Sequence, residues 1–186
     1  MPVPIRRLLV ALTLSCVLIG GATACGDGSG QDSATATQLA ATPTPTTSAE
    51  KQKFAKTRFV ANAGLAAGAT YQWIVKPWKA GTFKKGAKGR KLALVKAGLA
   101  GVFAYNRLKA ASKNAEGDPA LSKAVAPLAA GIAALKDLPA KLRNGDSTDS
   151  VVNSFDDVIN QVKAAGKSAG AEVKDKVPSA SQLSGG

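Results

Sequence analysis

Four segments of the chain carry apolar residues at intervals of three and four, the spacing that places them on one face of an α-helix. No segment shows the strict alternation of apolar and polar residues that is typical of a half-buried strand. We therefore predict an all-α fold, a small antiparallel bundle of about four helices joined by short links. The pattern is cleanest near the carboxyl end, in Val151, Phe155, Val158, Ile159 and Val162.

Signals at the helix ends predict the first two helices. The run Thr47-Ser48-Ala49-Glu50 matches a capping box, and the helix that it starts is expected to reach about Val75, where Pro77 ends it. A second helix is expected over residues 88–113. The apolar stripe of the first helix comprises Phe54, Ala61, Leu65, Ala69 and Trp73. The inner face expected of the second helix comprises Leu92, Val95, Leu99, Val102, Phe103 and Leu108.

Short sequence signals also predict the third and fourth helices. Asp118-Pro119 is a strong helix start, an N-cap residue followed by proline at the first helical position. Pro127 should kink or split this third helix. The run Arg143-Asn144-Gly145-Asp146 predicts a turn before the fourth helix. The apolar face of the third helix comprises Leu121, Val125, Leu128, Ile132 and Leu135.

The chain divides by composition into four parts. Residues 1–24 form a predicted signal peptide, 25–48 a linker, 49–177 the helical bundle and 178–186 a tail that we expect to be disordered. The linker is built from Gly, Ser, Thr, Ala, Gln and Pro, and we expect it to be disordered because it has too few large apolar side chains to offset the entropy lost on ordering. A tether of this kind has a root-mean-square reach of roughly 25–30 Å.

The amino-terminal segment has the features of an export signal. Arg6 and Arg7 precede an apolar run from Leu8 to Ile19, and small residues then lead to Cys25. The segment resembles the lipobox of bacterial lipoproteins, in which the cysteine thiol receives diacylglycerol and becomes the first mature residue. This resemblance implies a protein anchored by lipid on Cys25 at the extracytoplasmic face of the cell membrane.

A second interpretation of the same segment is ordinary secretion. Lipoboxes usually have leucine three places before the cysteine, where this chain has Ala22. The run Ala22-Thr23-Ala24 is also an Ala-x-Ala cleavage site, which would release a soluble protein with an unmodified Cys25. Cys16 is a poorer acceptor, since using it would leave an apolar run of only about seven residues.

Composition excludes most catalytic designs. The chain has no histidine, and both cysteines lie at or before the predicted anchor, so the mature protein has neither imidazole nor thiol beyond Cys25. Zinc and copper sites rest largely on those ligands, and Ser-His-Asp and Cys-His machinery needs them. The adjacent pair Asp156-Asp157 does not converge, because neighbouring helix positions point about 100° apart. We expect no cofactor, no metal and no enzymatic activity.

Positive charge is concentrated in the first half of the bundle. Between Lys51 and Lys113 the chain has fifteen basic residues and no acidic one, whereas residues 114–186 hold eight basic and nine acidic residues. The connection over residues 76–91 alone has seven positive charges. We predict that it contacts anionic lipid or an anionic wall polymer, and no nucleic-acid-binding motif is present. The candidate residues are Lys76, Trp78, Lys79, Phe83, Lys84, Lys85, Lys88, Arg90 and Lys91.

Two interpretations of this connection stay open. Tryptophan among lysines is typical of a membrane–water interface, with the ring at headgroup depth and the ammonium group near phosphate. Alternatively, Trp78 and Phe83 close the end of the bundle, and the lysines are merely solvated.

Residues 59–75 carry no charge and contain Gly64-x-x-x-Gly68, a spacing that allows helices to approach closely. One hypothesis is a membrane-inserted hairpin, with residues 92–105 as the return span. The other is a buried bundle helix whose small residues permit tight packing. Glycine inside a helix costs up to about 1 kcal/mol relative to alanine, and we expect a close approach between the first two helices to offset that cost.

The predicted function is a non-catalytic binding or structural role in the cell envelope. The mature domain resembles only small, uncharacterised secreted proteins of actinobacterial type, rich in Ala, Gly and Lys, and that resemblance implies no activity. Our alternative hypothesis is a component or inhibitor of an envelope protein complex, with the surface of the bundle as the interface.

Overall fold

The computed structural model describes residues 47–184 of this 186-residue chain. The predicted signal peptide, Cys25 and nearly all of the predicted linker lie outside the described residues. Within residues 47–184 the regular elements are all helical, with no β-strand, and the predicted all-α helical bundle is confirmed. The α-helices are α1 (Ser48–Thr70), α2 (Lys76–Lys79), α3 (Arg90–Ala115), α4 (Pro119–Val125), α5 (Ala129–Ala134), α6 (Leu138–Asn144), α7 (Thr148–Ser168) and α8 (Ala180–Ser184).

The capping box at the start of α1 is confirmed. The Thr47 hydroxyl accepts a hydrogen bond from the Glu50 backbone N–H, and the Glu50 carboxylate accepts one from the Thr47 N–H, each at 3.1 Å. Both bonds satisfy backbone donors that have no partner inside the helix. The beginning of the bundle is therefore encoded by four consecutive residues.

The prediction that Pro77 ends the first helix is wrong by a few residues. A π-helical turn, Tyr71–Val75, follows α1, and the Lys76 N–H donates to the carbonyl of Tyr71, five residues earlier. In this wider turn the hydrogen bonds run to the residue five positions earlier, and Pro77, which has no N–H to donate, lies in the first turn of the helix that follows. The helical path therefore continues through α2 to Lys79.

The inner face of α3 differs from the predicted one. Phe103 and Leu108 are buried as expected, whereas Leu92, Val95, Leu99 and Val102 are exposed. The wall of α3 that packs on α1 and α6 consists largely of small residues, which permit a closer approach than leucine does. The buried residues of α3 are Leu94, Ala97, Gly98, Ala100, Gly101, Phe103, Ala104, Leu108, Ala111 and Ala115.

The predicted third helix is broken at its prolines. Asp118 caps α4 by accepting a hydrogen bond from the Leu121 N–H at 2.9 Å, with Pro119 at the first helical position. A 3₁₀ turn at Ala126–Leu128 contains Pro127 and separates α4 from α5, as predicted. A second one at Leu135–Asp137 precedes α6, in which Pro139 lies in the first turn.

The turn and the fourth predicted helix are confirmed. Gly145 adopts a left-handed backbone, φ = 75°, after α6, and α7 then begins at Thr148. All five apolar residues predicted for the inner face of α7 are buried. Phe155 is completely inaccessible to solvent and packs at the centre of the core.

The tail is packed, which corrects the prediction of disorder after Val177. Residues 171–179 have no regular secondary structure and cross α1, where the Lys176 N–H donates to the Gly64 carbonyl at 2.8 Å. Pro178 is buried, α8 follows, and Leu183 packs in the core while α8 contacts α3. Long-range packing orders this segment, although its composition is that of a disordered tail.

The helix glycines do permit a close backbone approach, but not between the first two helices as expected. A Cβ atom on Gly64 would lie 2.6 Å from the carbonyl oxygen of Lys174, and one on Gly68 would lie 2.1 Å from that of Lys176. The glycines of α1 therefore accommodate the C-terminal segment. The interpretation of residues 59–75 as a buried bundle helix with a tight contact is confirmed.

Candidate anionic-surface site

The basic connection between α1 and α3 is a compact series of turns at one end of the bundle. The Gly81 N–H donates to the Trp78 carbonyl at 2.8 Å, and the Lys84 N–H donates to the Gly81 carbonyl at 3.1 Å. Gly89, with φ = 76°, turns the chain into α3. These bonds hold the connection close to the helix ends.

The two aromatic side chains of the connection close the bundle end, as the second interpretation predicted. Phe83 is 4% exposed and belongs to the hydrophobic core. Trp78 is partly buried, and its indole N–H donates to the carboxylate of Asp149 in the first turn of α7. Phe83 is thus buried and Trp78 is held against α7, an arrangement that favours the second interpretation over rings at a membrane interface.

Arg90 has a structural role. Its Nε–H donates to the Phe83 carbonyl at 2.8 Å. Its guanidinium group also packs on the turn before α7, where a Cβ on Gly145 would lie 2.3 Å from Nη2 of Arg90. The arginine therefore joins the connection to the α6–α7 turn.

Six lysines of the predicted site are exposed. The ion pairs among the described residues join Lys56 to Asp118, at 3.7 Å, and Lys163 to Asp175. None of the six lysines takes part in either pair, so their charges are available to an external anion. These lysines, which we call the basic end, are Lys76, Lys79, Lys84, Lys85, Lys88 and Lys91.

A polar cleft of about 250 Å³ separates the connection from the start of α7. Lys84, Lys85 and Arg90 line one side, and Thr148 and Asp149 line the other. An anion in the cleft would meet three cations but also the Asp149 carboxylate. The cleft therefore has charges of both signs, whereas the lysines of the connection face no acidic ion-pair partner among the described residues.

An apolar groove on the other side of the connection was missed by the sequence prediction. It has a volume of about 410 Å³, and the ammonium nitrogen of Lys96 lies 5.6 Å from the centre of the Trp73 ring beside it. Sequence reasoning placed Leu92 inside the bundle, and for that reason the groove was not found. Its main lining residues are Trp73, Lys76, Pro77, Lys88, Leu92 and Lys96.

The described residues offer little to metal chemistry. Within residues 47–184, no three Asp, Glu, His or Cys side chains come close enough together to hold a metal ion. In the same range, no helix combines the length and the hydropathy needed to cross a membrane.

Comparison with known proteins identifies no relative. The chain matches no family model. No curated protein and no solved structure matches it either.

Proposed function

We propose that this chain is an exported, non-catalytic protein, anchored by lipid on Cys25, whose basic end holds the bundle against anionic membrane lipid or an anionic wall polymer. One observation carries the proposal. Six exposed lysines occupy a single connection of sixteen residues, and none has an acidic partner among the described residues. A surface with clustered, unpaired positive charge attracts anions from solution.

The energies involved are sufficient for a tethered protein. A lysine close to an anionic membrane surface contributes about 1 kcal/mol, so three or four engaged lysines supply about 3–4 kcal/mol. The anchor keeps the local concentration of the partner surface high, and weak attraction then produces high occupancy. Phe83 is buried, and Trp78 is partly buried and bonded to Asp149, so this attraction needs neither ring.

Lipidation of Cys25 would give a specific covalent product. Intact mass of the mature protein should show diacylglycerol on Cys25, and the Cys25→Ser variant should move from the membrane fraction to the medium. Cys16→Ser is the matched control and should leave both mass and location unchanged, because Cys16 lies in the discarded signal. An unmodified Cys25 with wild-type protein in the medium would show secretion instead.

If the positive charge of the basic end drives binding, the affinity for anionic vesicles should depend strongly on which lysines are replaced. In the mature chain carrying Cys25→Ser, replacing Lys84, Lys85, Lys88 and Lys91 together by Gln should weaken binding to phosphatidylglycerol vesicles at least about tenfold at low salt. Arg90 is kept because it holds the connection in place. Vesicle co-sedimentation over a range of salt concentrations measures both affinity and its screening.

The control removes the same number of charges elsewhere. The control variant replaces four exposed lysines that all lie after α3 by Gln. If the basic end is the contact, this replacement should change vesicle binding less than about threefold. Equal losses in the two variants would mean that net charge alone drives binding, which would contradict a localised site. The control positions are Lys123, Lys136, Lys141 and Lys167.

A further inference from the structure

The outer face of α3 is unusually apolar for an exposed helix surface. Leu92, Val95, Leu99 and Val102 are 61%, 46%, 37% and 40% exposed, respectively. Their spacing of three, four and three places them on one side of the helix. Single exposed leucines are common, but four aligned aliphatic side chains form a continuous patch and indicate a contact with something apolar.

The charged side chains of α3 itself are all positive. Lys88 and Lys91 lie at the start of the patch, and Lys96 lies within it. The groove next to Leu92 continues the apolar surface onto Trp73 and Pro77 and is also lined by lysines. An apolar surface surrounded by cations complements an anionic lipid leaflet, whose headgroups are negative and whose chains are apolar.

Under the proposed function, both ends of the bundle stay near the membrane. The helical path from Ser48 to Lys79 is about 48 Å long at 1.5 Å per residue, so the tether joins the bundle far from the basic end. A bundle that keeps both its tethered end and its basic end near the membrane therefore lies on its side. One long face then meets the lipid.

We propose that this face is the outer side of α3, and that Leu92, Val95, Leu99 and Val102 enter the acyl region of an anionic lipid leaflet. Lys88 and Lys96, with Lys76 of the groove, then contact the headgroups. The inference rests on the proposed function and deepens it, since it commits the anionic partner to lipid. It also replaces Trp78 and Phe83, which are turned inward, as the apolar part of the contact.

Site-specific fluorescence tests the proposal directly. The mature chain with Cys25→Ser has no other thiol, so a single cysteine labelled with the polarity-sensitive dye NBD can replace Leu99 on α3 or the exposed Gln161 on α7. With phosphatidylglycerol vesicles, the dye at position 99 should brighten several-fold and be quenched by nitroxide-labelled acyl chains. The dye at position 161 should respond to neither. Bound protein with no response at position 99 would overturn the proposal.

A second variant separates this inference from the proposed function. Replacing Leu92, Val95, Leu99 and Val102 together by Gln should weaken vesicle binding at least about tenfold without changing its salt dependence, because apolar area is lost but charge is not. Circular dichroism checks that the helices remain. If the lysine variant weakens binding and this one does not, the proposed function stands and the inference fails.

Two further outcomes would also test the assignment of this face to lipid. If wild-type protein binds no anionic vesicle, both the inference and its lipid partner fail, whereas binding to an isolated anionic wall polymer would keep the proposed function. If sedimentation without lipid shows a dimer that the Gln variant loses, the face is an interface between copies of this chain. That result would overturn the assignment to lipid.

Discussion

Replacing Leu94 by Ala should lower the free energy of unfolding by about 2–5 kcal/mol, whereas Leu92→Ala should lower it by less than about 0.5 kcal/mol. Leu94 is 2% exposed and packs in the core, while Leu92 is 61% exposed at the groove. The two leucines are two positions apart in the same helix and undergo the same substitution, so intrinsic helix propensity cancels between them. The difference between the two changes in the free energy of unfolding therefore measures the effect of burial.

Urea unfolding followed by circular dichroism would measure both changes, provided that the transitions have similar slopes. If Leu92→Ala instead lowered the free energy of unfolding more than Leu94→Ala does, α3 would bury the face expected from its leucine and valine spacing. Such a result would also remove the exposed patch on which lipid insertion depends. The leucine pair therefore tests the fold and the premise of the lipid proposal together.

Gly68→Ala should destabilise the protein by about 1–3 kcal/mol, even though alanine is the better helix former by about 1 kcal/mol. The new Cβ would lie 2.1 Å from the Lys176 carbonyl oxygen, and backbone cannot give way as the end of a flexible side chain can. Gly131→Ala is the matched control in α5, where the nearest atom, Cγ2 of Val158, is at an ordinary 3.5 Å. That variant should be neutral or stabilising by up to about 1 kcal/mol.

A local readout accompanies the stability measurement. If the C-terminal segment is displaced in Gly68→Ala, trypsin should cleave after Lys174 or Lys176 faster than in wild type, while Gly131→Ala should leave the rate unchanged. The bond from the Lys176 N–H to the Gly64 carbonyl would be lost in the displaced state. A Gly68→Ala protein as stable and as resistant as the control would show that the segment does not occupy this face of α1.

The C-terminal segment also explains the long charge-free stretch of α1. Within it, residues 63–70 are nearly all buried, with α3 packed on the same helix and the segment around Lys176 crossing Gly64 and Gly68. Charged side chains there would be buried without partners, at a large cost in free energy. The same pattern in the sequence suggested a membrane hairpin, because burial in protein and burial in lipid demand similar compositions.

The candidate site was predicted only in part. The lysines of the connection could be found from sequence, because long charged side chains in a glycine-rich turn remain in water in almost any fold. The sequence could not decide between the two interpretations of its aromatic rings, since Trp78 meets Asp149, a residue 71 positions later in the chain. The apolar part of the proposed contact lies instead on α3, on side chains that periodicity alone assigned to the core.

The sequence by itself determined the class of fold and the features that depend on near neighbours. The capping box at Thr47, the break at Pro127 and the inner face of α7 each arise from residues within one or two turns, where hydroxyls, proline rings and strong amphipathicity act directly. Only the tertiary structure decided which faces of α1 and α3 are buried. Those helices are rich in alanine and glycine on several sides, so their inner faces are chosen by the partners that pack on them, each other, α6 and the C-terminal segment, and not by their own periodicity.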